Sequence, residues 1–275
     1  MATPRPIVVL LTDFGQDSWY VGAMKGALLA VQPGLTLVDL CHSVPGHRIG
    51  DGSFILLSAY DVFPPGSVFL AVVDPTVGSE RKGLAARAGE RYFVAPDNGL
   101  LTEILQREPD HEVRYLENTG LWRERPRPTF HGRDIFAPVA AHLAGGRPLA
   151  DVGPPCAQPV ELMLHEPIWD GEHLAGNVVL VDSFGNLITD ISEERLEKYC
   201  RERAVEGDDL EVVLSGHRLR GLKRTYHDAL PGEALILVGS SGYLEVAINR
   251  GSAARRLDVG AGAAVTLGHR RGSGA

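Results

Sequence analysis

Two carboxylates follow short apolar runs directly, at the kind of position where a parallel sheet presents its strand ends to ligands. The first is Asp13 in Thr12-Asp13-Phe14-Gly15, after Ile7-Val8-Val9-Leu10-Leu11. An aspartate at such a corner either accepts hydrogen bonds from sugar hydroxyls or caps the helix that starts near Ser18. The second is Asp74 in Val72-Val73-Asp74-Pro75-Thr76-Val77-Gly78-Ser79-Glu80-Arg81, where a guanidinium follows across a glycine turn. The loop can fold back and pair Arg81 with Asp74. That gives either a structural ion pair or an ionised, oriented carboxylate able to handle a proton. His131, in Phe130-His131-Gly132-Arg133-Asp134-Ile135-Phe136, opens a helix, and imidazole exchanges protons near neutral pH. It is one of 10 histidines, none with H-E-x-x-H or H-x-H spacing, so no metal centre is expected.

Three further loops carry polar groups at turns. Ala95-Pro96-Asp97-Asn98-Gly99-Leu100-Leu101 reads as a strand-to-helix turn with Asn98 as its cap. Asp182-Ser183-Phe184-Gly185-Asn186 sets an aromatic ring between two polar side chains at a hairpin tip, although a tight turn alone would account for its Gly and Asn. Gly239-Ser240-Ser241-Gly242-Tyr243-Leu244-Glu245-Val246-Ala247 is a glycine-serine loop entering a strand, with amides free to meet a base edge or a carboxylate. The chain has neither G-x-G-x-x-G nor G-x-x-x-x-G-K-[ST], which argues against a dinucleotide fold or a P-loop.

The elements that must hold these residues change character along the chain. Apolar runs at 7–11, 35–40, 68–73 and 92–95 read as strands; helical periodicity marks 21–31, 49–62, 100–106 and 135–144. This alternation predicts an N-terminal α/β sandwich domain with a largely parallel sheet over residues 1–148. A proline-rich stretch over 149–170 reads as a linker. Short strands at 176–182, 187–191, 210–214, 234–238 and 243–248, with one helix at 193–203, predict a smaller C-terminal all-β barrel domain over 171–270.

Composition narrows the partners. There are 27 Lys+Arg against 35 Asp+Glu, a net charge of −8, and the only basic block is His269-Arg270-Arg271. Nucleic acid is therefore not an expected partner. No apolar run approaches the ~20 residues of a membrane span, and the start of the chain lacks the pattern of a signal peptide. The 3 cysteines are scattered, without a C-x-x-C pair, which fits the reducing cytoplasm rather than a disulfide framework.

Taken in order, T-D-F-G at 12–15, V-G-x-M-K-G at 21–26, V-V-D-P-x-V-G at 72–78, A-P-D-N-G-L-L at 95–101, F-H-G-R-D-I-F at 130–136, D-S-F-G-N at 182–186 and S-G-Y-L-E-V-A at 241–247 resemble the S-adenosylmethionine hydrolase (hydroxide adenosyltransferase) family, relatives of the fluorinases and chlorinases. The resemblance covers nearly the whole chain. It implies an N-terminal α/β domain with a C-terminal barrel, a homotrimer with sites at subunit interfaces, and the reaction of S-adenosylmethionine with water to give adenosine and L-methionine. It implies no cofactor. The hydrolase branch carries an Asp, Arg, His set that falls on Asp74, Arg81 and His131; in the halogenating relatives the position matching Asp74 is not acidic. The resemblance further implies that Asp13 binds the ribose diol, that Asp74 also contacts the substrate and that Phe184 stacks on adenine. Asp182, Asn186, Ser240, Ser241, Glu245 and Ala247 would then complete the substrate-binding set. A 5′-halogenase and a non-catalytic nucleoside-binding module are the competing readings.

Departure of a neutral thioether from a sulfonium needs no acid, so the chemical difficulty lies in the water nucleophile. Positioning it in line can supply up to ~7–11 kcal/mol, and accepting its proton a further ~10²–10⁴-fold. Either Asp74 or His131 is the acceptor on this reading, with Arg81 fixing the geometry.

Overall fold

A computed structural model describes residues 5–163 and 166–270; Arg271, at the end of the basic run, lies outside them. The chain divides into two units, Met1–Leu162 and Met163–Ala275.

The first unit contains β1 (Ile7–Thr12), α1 (Trp19–Val31), β2 (Thr36–Cys41), α2 (Ile49–Leu57), β3 (Val68–Val72), β4 (Gly83–Ala88), β5 (Arg91–Pro96), α3 (Thr102–Arg107), β6 (His111–Tyr115) and α4 (Ala137–Ala144). The sheet order is β2-β1-β3-β5-β4-β6. β1 pairs in parallel with β2 and β3, and β3 with β5, while β4 runs antiparallel to both its neighbours. The expected largely parallel α/β sheet is what forms. Its central strands are apolar on both faces because both are covered. Val8, Leu10, Val68 and Leu70 pack with Met24 and Leu28 of α1 and with Val139 and Ala140 of α4. Val9, Leu11, Phe69 and Ala71 pack on the other face with Leu56 of α2 and Ile104 of α3.

Several boundaries differ from the sequence reading for local reasons. The helix expected over 49–62 stops at Leu57, where the Ser58 hydroxyl donates back to the Phe54 carbonyl at 2.8 Å, and a 3₁₀ turn follows at Tyr60–Val62. The helix expected from Leu100 starts at Thr102: the Thr102 N–H closes a tight turn on the Gly99 carbonyl at 3.0 Å, and the helical pattern takes over with the Leu105 N–H on the Leu101 carbonyl at 3.0 Å. β4 and β6 went unread: Gly-Leu-Ala-Ala-Arg-Ala has little β-propensity, and β6 is a partly exposed edge strand. Residues 149–162 group with this unit, where Pro154 accepts from the Tyr115 N–H at 3.0 Å and the Cys156 N–H donates to the Val113 carbonyl at 2.8 Å.

The second unit holds β7 (Ile168–Trp169), β8 (Leu174–Val181), β9 (Leu187–Ser192), α5 (Glu193–Arg203), β10 (Leu210–Leu214), β11 (His217–Arg220), β12 (Leu222–Lys223), β13 (Ala234–Val238), β14 (Tyr243–Ile248), α6 (Ala253–Leu257) and β15 (Ala264–His269). The order β11-β10-β15-β8-β9-β14-β13-β12, with β7 on β8 and β11 against β13, is the expected barrel-like sheet, nearly closed. Leu174, Val178, Ile191, Tyr199, Val212, Ile236, Val246 and Leu267 fill its inside. α5 is capped by Ser192, which accepts from Arg195 N at 3.3 Å, and has acids in its first turn and arginines in its last, matching the helix dipole. The short α6 is a second helix that the sequence reading did not include.

Candidate active site

Thr12 of β1 pairs with Val72 of β3, so Asp13 and Asp74 leave the carboxyl ends of adjacent parallel strands. Asp13 is not the cap of α1; that cap is Ser18. Its carboxylate instead accepts the His47 N–H at 3.3 Å. The corner behind it is held by a relay of side chains. Lys25 Nζ donates to Asp39 Oδ2 at 2.6 Å, Asp39 Oδ1 meets His42 Nε2 at 2.9 Å, and His42 Nδ1 meets the Thr12 hydroxyl at 2.9 Å. Thr12 Oγ1 in turn accepts the Phe14 N–H at 3.3 Å. Burial would raise the Asp39 carboxyl, but its bonds to Lys25 and His42 outweigh that and hold it below the usual carboxylate range.

The Asp74–Arg81 loop folds back as its spacing allows. Gly78 adopts φ +85°, and a Cβ there would stand 2.9 Å from the Pro128 carbonyl oxygen, so glycine is required. Arg81 Nε donates to Asp74 Oδ1 at 2.9 Å and Nη2 donates to Asp74 Oδ2, a two-point fork. The other Nη2 hydrogen goes to His131 Nδ1 at 3.0 Å, and the guanidinium lies 5.0 Å from the centre of the Phe136 ring. The Asp74 and Arg81 side chains are only 4% and 9% exposed. A guanidinium can only donate, so Nδ1 of His131 is unprotonated and a neutral ring carries its hydrogen on Nε2. Burial, and then the Arg81 charge, push the His131 pKa below its usual value; Asp74 and Asp134 pull the other way.

His131 is aimed by an unusual local structure. Gly132–Phe136 is a turn of π-helix leading into α4, a wide turn often found at functional sites. Buried Asp134 anchors it: Arg133 Nε and Nη2 donate at 2.6 and 2.7 Å, and the Arg127 N–H donates at 2.9 Å. Burial alone would raise this carboxyl, but Arg133, Arg127 and Arg123 hold it below the carboxylate range.

The second unit brings a different group together. Phe184, Asn186, Tyr226, Ile248, Arg250, Gly251, Ser252 and Arg255 line a cavity of about 530 Å³. Phe184 is 76% exposed and presents its ring. Asp182 builds the turn beneath it, accepting from Phe184 N at 2.9 Å, Asn186 N at 2.8 Å and Asn186 Nδ2 at 3.0 Å. Glu245 is buried behind Tyr226, whose hydroxyl donates to it at 2.7 Å; burial, with Asp182 nearby, raises the Glu245 pKa. Ser240 and Ser241 lie in the tight turn between β13 and β14, and the Ala247 side chain is buried with Leu235 and Leu237.

Sequence reasoning missed Tyr226, Arg250, Ser252 and Arg255. The one available signal was Asn249-Arg250-Gly251-Ser252 directly after a strand, where Arg250 takes φ +59°. Tyr226 arrives from a loop distant in sequence, so no local pattern marks it.

Comparison with known proteins matches this architecture. Residues 8–153 match the model of the SAM hydroxide adenosyltransferase N-terminal domain and residues 176–266 that of its C-terminal domain. An (R)-S-adenosyl-L-methionine hydrolase of Thermus thermophilus is 38% identical, over 96% of this chain and 99% of its own. A fluorinase of Actinopolyspora mzabensis is 30% identical, over 91% of this chain and 93% of its own. A solved structure of a conserved protein from Thermotoga maritima superposes with a TM-score of 0.90 at 36% identity, covering 95% of this chain and all of that one. On these matches and on the two units they span, the chain belongs to the SAM hydroxide adenosyltransferase family.

Proposed function

We propose that this protein hydrolyses S-adenosyl-L-methionine to adenosine and L-methionine, with Asp74, Arg81 and His131 as its catalytic residues. The observation that carries this reading is the direct contact of the three: Arg81 forks onto Asp74 and reaches His131 with the same nitrogen. A water beside them attacks the ribose 5′ carbon from the side opposite sulfur. The O–C5′ bond forms as the C5′–S bond breaks, its electron pair leaves on sulfur, and the water's proton passes to the enzyme.

The hydrogen-bond pattern favours Asp74 as the acceptor. His131 Nδ1 is occupied by Arg81, and Nε2 of the neutral ring is a donor that orients the water. A carboxylate is a weak base, yet the attacking oxygen becomes strongly acidic as its bond to carbon forms, so a weak base suffices late in the step. On this reading Asp13 holds the ribose hydroxyls and the Phe184 cavity, lined also by Asn186, takes the adenine; Asp182, Ser240, Ser241, Glu245 and Ala247 complete the substrate-binding set from the turns and strands that support it. No cofactor takes part.

The active form is a homotrimer, in which neighbouring subunits complete each site; the division of candidate groups between two units supports this. Light scattering of a fully active monomer would overturn it. The free thiols Cys41, Cys156 and Cys200 support a cytoplasmic location.

The decisive assay incubates the protein with S-adenosylmethionine in ¹⁸O-water, with and without chloride or fluoride. Adenosine carrying ¹⁸O at its 5′ oxygen is expected. A 5′-halogenated nucleoside would indicate a halogenase, and tight binding without turnover a sensor.

A further inference from the structure

The Ala95–Leu101 motif takes no part in the mechanism above, yet its geometry ties it to the Asp74–Arg81 loop. The Asn98 side chain works in two directions. Its Oδ1 accepts the Leu100 N–H at 3.2 Å, which is ordinary turn building. Its Nδ2 donates to the carbonyl of Val73 at 2.8 Å, the residue immediately before Asp74. One residue earlier, the Asp97 N–H donates to the carbonyl of Lys82 at 2.9 Å, the residue immediately after Arg81. That same carbonyl accepts Arg81 Nη1 at 3.1 Å. Two consecutive residues therefore hold both ends of the loop that carries the fork.

The loop needs such a clamp. Residues 75–80 are exposed, and its own backbone bonds are few: Val77 N to the Asp74 carbonyl at 3.3 Å and Ser79 N to Thr76 at 3.1 Å. The clamp itself is anchored, because Asp97 Oδ1 accepts the Val160 N–H at 2.8 Å. Gly99 closes the turn at φ +93°, with a Cβ position only 2.7 Å from Leu162 Cγ, so only glycine fits. A misplacement of about 1 Å at a reacting group can cost about 10²-fold in rate, so a tether at the foot of Asp74 matters to chemistry.

We infer that Asn98 is a positioning residue for the reaction: through the Val73 carbonyl it fixes the base of the Asp74–Arg81 loop and so the fork that faces His131. It touches neither substrate nor the reacting atoms. The inference rests on the hydrolase reading for its kinetic consequence, and on geometry alone for its structural one.

Asn98→Ser separates the two directions of the side chain. Serine still offers an oxygen to the Leu100 N–H, but it is too short and has no amide to reach the Val73 carbonyl. The expected result is a kcat lowered about tenfold with KM within twofold, and faster amide hydrogen exchange at Val77 and Ser79 with α3 and β5 unchanged. Combined with Arg81→Ala, the variant should lower kcat no further than Arg81→Ala alone, since the clamp acts only through the fork. Unchanged kcat, unchanged exchange, or a double variant whose losses multiply would overturn the inference. Should Asn98→Ser not fold, the isosteric Asn98→Asp, which keeps the acceptor and loses the donor, carries the same measurements. A wild type that releases no adenosine defeats the hydrolase reading, while the exchange comparison still decides the clamp.

Discussion

The two units hold their functional groups in opposite ways. In the first, Asp74, Arg81 and His131 are hydrogen-bonded to one another, and a buried Asp134 held by Arg133 sets the turn from which His131 emerges. In the second, Phe184 stands 76% exposed over a cavity of about 530 Å³, and the carboxylate of Asp182 supports the turn that presents it. A network locked before substrate arrives suits a chemical step, because no reorganisation is left for the transition state. An open aromatic shelf suits recognition, because stacking has no effect until a flat ligand covers the ring. The comparison teaches where rate and affinity should separate.

The largest test of that separation removes the trio. Alanine at Asp74, Arg81 or His131 should lower kcat by at least about 10²-fold, the lower range for a positioned proton acceptor and its partners. KM should change less at Arg81 and His131 than in Asp13→Ala. Steady-state kinetics of the purified variants decide it, and near-normal turnover in His131→Ala would remove that residue from the mechanism.

The opposite pattern is expected in the second unit. Phe184→Ala should raise KM by about 5- to 150-fold, the equivalent of ~1–3 kcal/mol of base–aromatic stacking, with kcat within a few-fold. Calorimetric titration with adenosine, which lacks the reacting centre, should show the same loss. A kcat effect as large as that of the trio would collapse the distinction between the two regions.

A smaller effect comes from pH. The His131 pKa lies below its ordinary 6.5, chiefly because of burial and then Arg81. The fold therefore favours the neutral ring, whose Nδ1 accepts from Arg81. As pH falls below 6.5 and through the lower folded value, the ring gains a proton, the Arg81 contact is lost, and a second cation appears beside a sulfonium. Activity should fall by up to tenfold per pH unit on that acid limb. Stability falls between 6.5 and that lower folded value, since there the unfolded chain takes up a proton that the folded one refuses, and this contribution levels off below it. Replacing Arg81 by Gln removes a cation that depresses this pKa, so the limb measured on the residual activity should move to higher pH.

How much of this was legible in the sequence follows the same division. The Asp74–Arg81 pairing was readable because both residues and the glycine turn lie within one loop, and His131 because it opens a helix at a strand-end corner. The roles of Asp134 and the π turn were not, since a π turn has no periodicity distinct from the helix it precedes. Nor was the second direction of Asn98, because the Val73 carbonyl is brought to it by the sheet. Arg250, Arg255 and Tyr226 were hidden for a similar reason: a barrel assembles its cavity from turns far apart in sequence.

The smallest expected effect is none, and it tests what kind of nucleophile the first unit makes. Hydrolysis at neutral pH is often the work of a metal-bound hydroxide, which is the obvious rival to an Asp74–Arg81–His131 mechanism. Among the described residues, no three His, Cys, Asp or Glu side chains are grouped to hold an ion. The chemistry points the same way. The substrate carries no phosphate for magnesium to bridge, and its reacting centre is already cationic. Two unit charges at 4 Å repel by about 4 kcal/mol at an effective dielectric of about 20, and a divalent ion would double that. The Asp74 carboxylate, with its charge balanced by Arg81 and beside a neutral His131, adds no net positive charge. Adenosine formation should therefore survive exhaustive treatment with EDTA, measured as an unchanged initial rate. Loss of activity on chelation, restored by one added divalent ion, would replace the carboxylate mechanism with a metal-hydroxide one and make Asp74 a ligand rather than a proton acceptor.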